Sequence, residues 1–224
     1  MEDKVMEAGT ARLAIFDTYK TGDSLTAEAA RQRLILATLA GRAGPGERTR
    51  TGMARRIAGD GGRWKNVYSG VFRDMEEVML PLGLAGEEGR LPLTRGPRAM
   101  QEKGVPYYRL TGRGMISAMA VPGTDVASLL AAFQAGEEGA GPHAAALAAL
   151  AGPCPSLARM ILECHVRAFC SGGIDDLLPL DPARSASDIL APYGELIRGV
   201  SGMTRGQREA AAAIVDRASG ADKH

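Results

Sequence analysis

The chain has 224 residues, 45% of them hydrophobic but only 4% aromatic, and a formal net charge of +1. Core material is ample, and with so few aromatics it must come mainly from Ala, Leu, Val, Ile and Met, which favours closely packed helices over a β-sandwich. Three cysteines are too few for a secreted disulfide scaffold, no apolar run approaches the roughly 18 residues of a membrane span, and the acidic start is unlike a signal peptide, so a cytoplasmic location is expected.

Taken in order, residues 5–20 carry Val5, Met6, Leu13, Phe16 and Tyr19 at roughly helical spacing, and a short amphipathic helix is expected there. The turn Thr21-Gly-Asp-Ser24 follows, and Ser24 or Thr26 is placed to cap a helix whose buried side is Leu34, Ile35, Leu36 and Leu39. Arg31 and Arg33 are expected to remain solvated or to reach the duplex backbone. Residues 42–50 read as a flexible basic loop. Residues 50–58 have the spacing of a short helix, with Met53 and Ile57 on one face, and Gly59-Asp-Gly-Gly62 supplies a reversal.

The next periodic run covers residues 66–80. Val67, Val71, Met75 and Val78, flanked by Tyr68, Phe72 and Met79, form a broad apolar stripe, while Lys65, Asn66, Ser69 and Arg73 fall on the other side. Pro81 and Gly83 stop this helix. Two β-like pieces, 82–93 and 105–111, flank the connection 94–104, which carries Arg95, Arg98 and Lys103 and has the composition of a basic wing. Thr111 then caps a helix over 112–120, and Val121-Pro-Gly123 marks an expected domain boundary.

The ordered set Val67-Tyr68, Arg73-Asp-Met-Glu76, Gly83-Leu84 and Tyr107-Tyr-Arg-Leu-Thr-Gly-Arg-Gly114 resembles winged helix-turn-helix transcriptional regulators, and looks most like the PadR-type group. The likeness covers about a third of the chain. It implies a tyrosine-bearing recognition helix followed by a wing. The chain departs from that pattern at Val78-Met-Leu-Pro-Leu82, which lengthens the recognition helix, and in a longer wing.

The remainder reads as helical. Helices are expected over 125–134, 143–150 and 156–170, with a linker at 136–142, an irregular stretch at 174–182, and closing helices near 189–200 and 204–218. Thr204-Arg-Gly-Gln207 has the spacing of a capping box. The expected architecture is therefore mainly α with a small β-wing: an amino-terminal helical segment at 1–20, a winged helix-turn-helix domain at 21–121, and an all-helical domain at 124–224 for dimerisation or effector binding.

Charge is segregated along this plan. Residues 1–41 hold 5 basic and 6 acidic groups, 42–113 hold 14 and 8, and 114–224 hold 8 and 12, for net charges of −1, +6 and −4. A polyanion is attracted to the middle part and repelled by the rest. Major-groove contacts are therefore expected from Lys65, Asn66, Ser69 and Arg73, and phosphate or minor-groove contacts from Arg95, Arg98 and Lys103. Trp64 could wedge against a sugar, but a lone Trp beside a helix start is more often a packing anchor, and Tyr68 and Tyr108 are expected in the core and on the strand face.

Cys154, Cys164, His165 and Cys170 lack the paired C-x-x-C spacing of a structural zinc site, and Cys164 and Cys170 lie about 240° apart on an ideal helix. No metal, no cofactor and no catalytic constellation are expected. The function expected is a DNA-binding transcriptional regulator acting as a homodimer on double-stranded DNA, with an effector at the carboxyl-terminal domain. The alternative is a winged-helix adaptor joining proteins in a larger assembly without touching DNA.

Overall fold

The computed structural model describes residues 11–41, 43–93, 96–139 and 141–219. It is mainly helical with one two-stranded antiparallel sheet. The chain divides into two compact units at 185/186, and the first of them contains the Val121-Pro-Gly123 turn. Among the described residues, no helix is long and apolar enough to cross a membrane.

The arm before the first helix is not itself helical. Over 11–20, the described part of the expected 5–20 helix, the chain is irregular, with Leu13, Ala14 and Ile15 buried and Thr18 bridged to Leu25. Its backbone is satisfied from outside: Ala14 N–H donates to Gln32 Oε1 at 2.8 Å, and Arg33 Nε donates to the Ile15 carbonyl at 2.6 Å. Those side-chain partners replace the ladder a helix would have formed. Arg33 is thus engaged with the arm and not solvated. Its guanidinium lies 5.6 Å from the Phe16 ring centre, and Arg167 lies 4.1 Å from the same ring.

Helix α1, Ala27–Ala40, is capped by Thr26, whose hydroxyl accepts from Ala29 N–H. Ile35, Leu36 and Leu39 are buried as expected, but Leu34 is 45% exposed, because the buried stripe is phased on 32, 35, 36 and 39. Helix α2, Arg50–Ala58, starts at the Thr49 cap and ends at Gly59, whose φ of 68° suits glycine. Helix α3, Trp64–Asp74, replaces the amino-terminal part of the single helix expected over 66–80. Beyond it the coil widens into a π-helical turn, Met75–Met79, in which Leu80 N–H bonds the Met75 carbonyl. The widening falls just before Pro81, whose ring excludes a carbonyl four residues earlier.

One ion pair locks α3 to α1. Arg31 grips Asp74 with Nε–Oδ2 at 2.5 Å and Nη2–Oδ1 at 3.0 Å, and the Asp74 side chain is 1% exposed. Hydrogen bonding to Asp74, outweighing burial, raises the Arg31 pKa above its ordinary value. The guanidinium lies across Gly70, where a Cβ would come within 2.8 Å of it. Arg31 is therefore a structural clamp, and not the solvated or backbone-reaching cation expected from its position in sequence.

Strand β1, Ala85–Leu91, pairs with β2, Val105–Leu110, from Ala85↔Leu110 to Leu91↔Val105, with an irregularity between Glu87 and Gly89. The connection expected to be a basic wing contains a short helix, α4, Arg98–Lys103. The segment entering α2 joins the hairpin edge through a Thr49↔Tyr107 bridge and a bond from Tyr108 N–H to the Arg48 carbonyl.

Helix α5, Gly112–Met119, is capped by Thr111 and sits so close to the hairpin that a Cβ on Gly114 would lie 1.9 Å from the Leu84 carbonyl oxygen. Helices α6, Val126–Gln134, α7, Pro142–Ala151, and α8, Pro155–Cys170, continue the same core, which runs without a break through Ile116, Met119, Val121, Val126, Leu130 and Leu162. From α8, Arg159 donates to the carbonyls of Val121 and Thr124 at 2.9 and 2.6 Å. Arg113 on α5 holds Asp176 by two hydrogen bonds, which keep that carboxyl below its usual range.

Helix α9, Pro182–Gly202, starts earlier than the expected 189–200, using Pro182 at its first turn, where a missing amide costs nothing. Helix α10, Arg205–Ser219, opens with the expected box: Thr204 N–H donates to Gln207 Oε1 at 2.9 Å, and Gln207 N–H donates to Thr204 Oγ1 at 3.4 Å.

His165, 2% exposed, donates from Nε2 to the Leu177 carbonyl at 3.1 Å. Burial, the largest influence, lowers its pKa from the ordinary value of about 6.5.

Asp74→Ala strands the Arg31 guanidinium and is expected to cost about 3 kcal/mol in urea denaturation, with Arg31→Met plus Asp74→Leu recovering most of the loss. A cost below about 1 kcal/mol would class the pair with surface bridges of little worth. For His165, the unfolded chain takes up a proton near pH 6.5 and the folded chain resists it. Stability is therefore full above that pH and falls as pH drops below it. Melting temperatures from about pH 8 to pH 5 should show the fall, and His165→Leu should flatten it. An unchanged slope in the variant excludes His165 as the cause.

Candidate nucleic-acid interface

At 3.6 residues per turn, the side of α3 opposite its buried Val71 and Asp74 carries Lys65, Asn66, Ser69, Phe72 and Arg73, all exposed. Four of these are the residues expected to reach base edges. Asn66, Ser69 and Arg73 also line an open groove of about 610 Å³ shared with Ala30 and Leu34 of α1. Asp74 is absent from this face because Arg31 holds it inside.

The cations nearby differ in how far they are already engaged. Among the described residues, Arg63, Lys65 and Arg73 form no ion pair, and Arg55 packs 5.3 Å from the Trp64 ring centre without one. Arg56 has only a 3.7 Å contact with Glu47, both well exposed, which screening makes weak. Trp64 and Tyr68 meet edge to face at 6.1 Å, so Trp64 is a packing anchor in an aromatic row that continues to Phe72 at 6.4 Å from Tyr68. Tyr108 is 2% exposed, as expected of a strand residue facing the core, and burial raises its phenol above the usual range.

Two arginines flanking the Thr49 cap brace the hairpin: Arg50 ties it to α3 and the turn after it, and Arg48 ties it to the segment entering α2. Arg50 pairs with Glu76, packs 4.8 Å from the Phe72 ring centre and lies 5.4 Å from that of Tyr108. Arg48 pairs with Glu88, lies 5.3 Å from the Tyr107 ring centre and donates to the Tyr108 carbonyl. The sequence reading missed both. Their signal was an arginine on each side of the Thr49 cap, which periodicity within a helix does not register.

The expected wing residues are only partly placed. Arg95 lies outside the described residues. Arg98 and Lys103 are exposed on α4, and Arg98 is paired with Glu102 four residues on, at 3.2 Å. Both groups are highly exposed, so that pair leaves the guanidinium free to exchange partners. On β1, Arg90 is paired with Glu87. The hairpin is thus less one-sidedly basic than the composition of its connection suggested.

Around the cysteines, burial is the main chemical fact. Cys154 is exposed, Cys164 buried and Cys170 intermediate. Desolvation pushes Cys170 up to about 11 and raises Cys164 as well, so neither holds appreciable thiolate at neutral pH. Among the described residues, no three His, Cys, Asp or Glu side chains converge as metal ligands would.

The chain matches no family model, no curated protein and no solved structure.

The thiols give a direct check on this packing. At about pH 7.5, a maleimide should label Cys154 rapidly, with Cys164 and Cys170 following only on unfolding. Equal labelling rates for Cys154 and Cys170 would contradict the burial of α8.

Proposed function

We propose that this protein is a DNA-binding transcriptional regulator whose residues 21–121 form a winged helix-turn-helix head. The order of elements supports the fold: three helices, then a hairpin whose edge is extended by the chain entering the second helix. In this reading α3 enters the major groove, and the hairpin insert grips phosphates or the minor groove.

The observation that carries the proposal is the sorting of charge on α3. Its carboxylate is turned inward onto Arg31, while Lys65 and Arg73, with Asn66 and Ser69 between them, face outward without a carboxylate partner among the described residues. A helix needing only solubility has no use for that asymmetry; a helix meeting phosphates and base edges does.

We infer a homodimer in the cytoplasm, reading a palindrome with paired heads. Support comes from α9 and α10, which leave Leu196, Ile197, Ile214 and Val215 between 49% and 70% exposed, the kind of apolar surface a second copy covers. The ion-paired hairpin, with Arg98–Glu102 and Arg90–Glu87, gives some weight to the other reading, a winged-helix adaptor that binds proteins.

The test is an anisotropy titration against pooled duplexes. Affinity should fall steeply between about 50 and 200 mM salt. Arg98→Ala with Lys103→Ala should weaken all sequences alike, whereas Asn66→Ala or Ser69→Ala should shift sequence preference by about tenfold. No salt-sensitive duplex binding at all would leave the adaptor reading standing.

A further inference from the structure

The apolar stripe read from sequence places Phe72 with the buried residues. In the fold it is 43% exposed, on the outward side of α3 beside Ser69 and Arg73. A large aromatic in that position is out of keeping with a purely ionic grip on phosphates. It is also held, not loose. Arg50 packs 4.8 Å from its ring centre, and that guanidinium is itself fixed by Glu76 and by Tyr108 of the hairpin. Tyr68, one turn earlier, lies against it at a tilt of 36°. Arg50 and Tyr68 flank the ring, which stays part exposed at the border of the face that carries Ser69 and Arg73.

From this placement, and resting on the DNA-reading proposal above, we propose that Phe72 is a specificity-determining residue that packs on the C5-methyl group of a thymine in the major groove. The methyl is the one apolar feature that a base pair displays there, and an apolar side chain is the group that distinguishes it. Asn66, Ser69 and Arg73 supply the hydrogen-bonding contacts around it. Arg50 acts as a positioning residue: it fixes the Phe72 ring by stacking and does not itself need to reach a base.

The experiment takes the full chain and the duplex it selects from a randomised pool, then replaces each thymine in turn by deoxyuridine, which removes only the methyl. For wild-type protein, one thymine per half-site should show about a fourfold loss of affinity, the worth of one buried methyl-sized group. Phe72→Ala and the milder Phe72→Leu should both retain the steep salt dependence. Phe72→Ala should bind the thymine and uracil duplexes equally, and Phe72→Leu should keep part of the difference.

Wild-type binding that is indifferent to every uracil replacement overturns the inference and leaves the DNA-reading proposal intact. So does a thymine preference that survives unchanged in Phe72→Ala. Selection of a single-stranded ligand in place of a duplex would assign Phe72 to base stacking and overturn the thymine contact. Failure of the wild type to retain any nucleic acid overturns the proposal beneath it as well.

Discussion

Much of the amino-terminal half is organised by one carboxylate buried against one guanidinium. Removing Asp74 and Arg31 from water is costly, and the cost is met only because their two hydrogen bonds match in geometry. Such a pair adds little to stability compared with an apolar pair of the same volume. What it fixes is rotation. With Asp74 on the inside, α3 has one phase relative to α1, and that phase decides that Asn66, Ser69, Phe72 and Arg73 look outward. Gly70 belongs to the same device, since any larger residue would meet the guanidinium.

A second set of cations works at the surface of the fold. Arg48 and Arg50 flank the Thr49 cap and reach in different directions, one to Glu88 and Tyr107 on the hairpin, the other to Glu76, Phe72 and Tyr108. Arginine suits both places because its flat guanidinium can stack on a ring and hold a carboxylate together. The predominance of arginine over lysine in this chain, 22 to 5, therefore has a structural use beyond solubility.

The parts legible from sequence were those fixed by local rules. The Thr26, Thr111 and Thr204 caps, the limits of α2, and the two strands all depend on spacing and turn residues, and spacing is visible in one dimension. The exposed set 65, 66, 69 and 73 was legible for the same reason. The misreadings share another cause, namely partners distant in the chain. Residues 11–20 look amphipathic, but Gln32 and Arg33 satisfy them as irregular chain. Arg31 looks solvated until Asp74 arrives from 43 residues away. Phe72 looks buried because hydrophobicity alone cannot say that the core is already filled by Val71 and Met75.

Slack is missing at two joints further along. Gly114 brings α5 against the Leu84 carbonyl with no room for even a methyl group, and Arg159 of α8 clasps the Val121 and Thr124 carbonyls in the turn that follows α5. Helix α5 is accordingly held against the hairpin near its start and, through the turn that follows it, to α8. A bulkier residue at position 114 would have to push the helix off the hairpin, because the obstacle it meets is backbone and not a side chain that can turn aside.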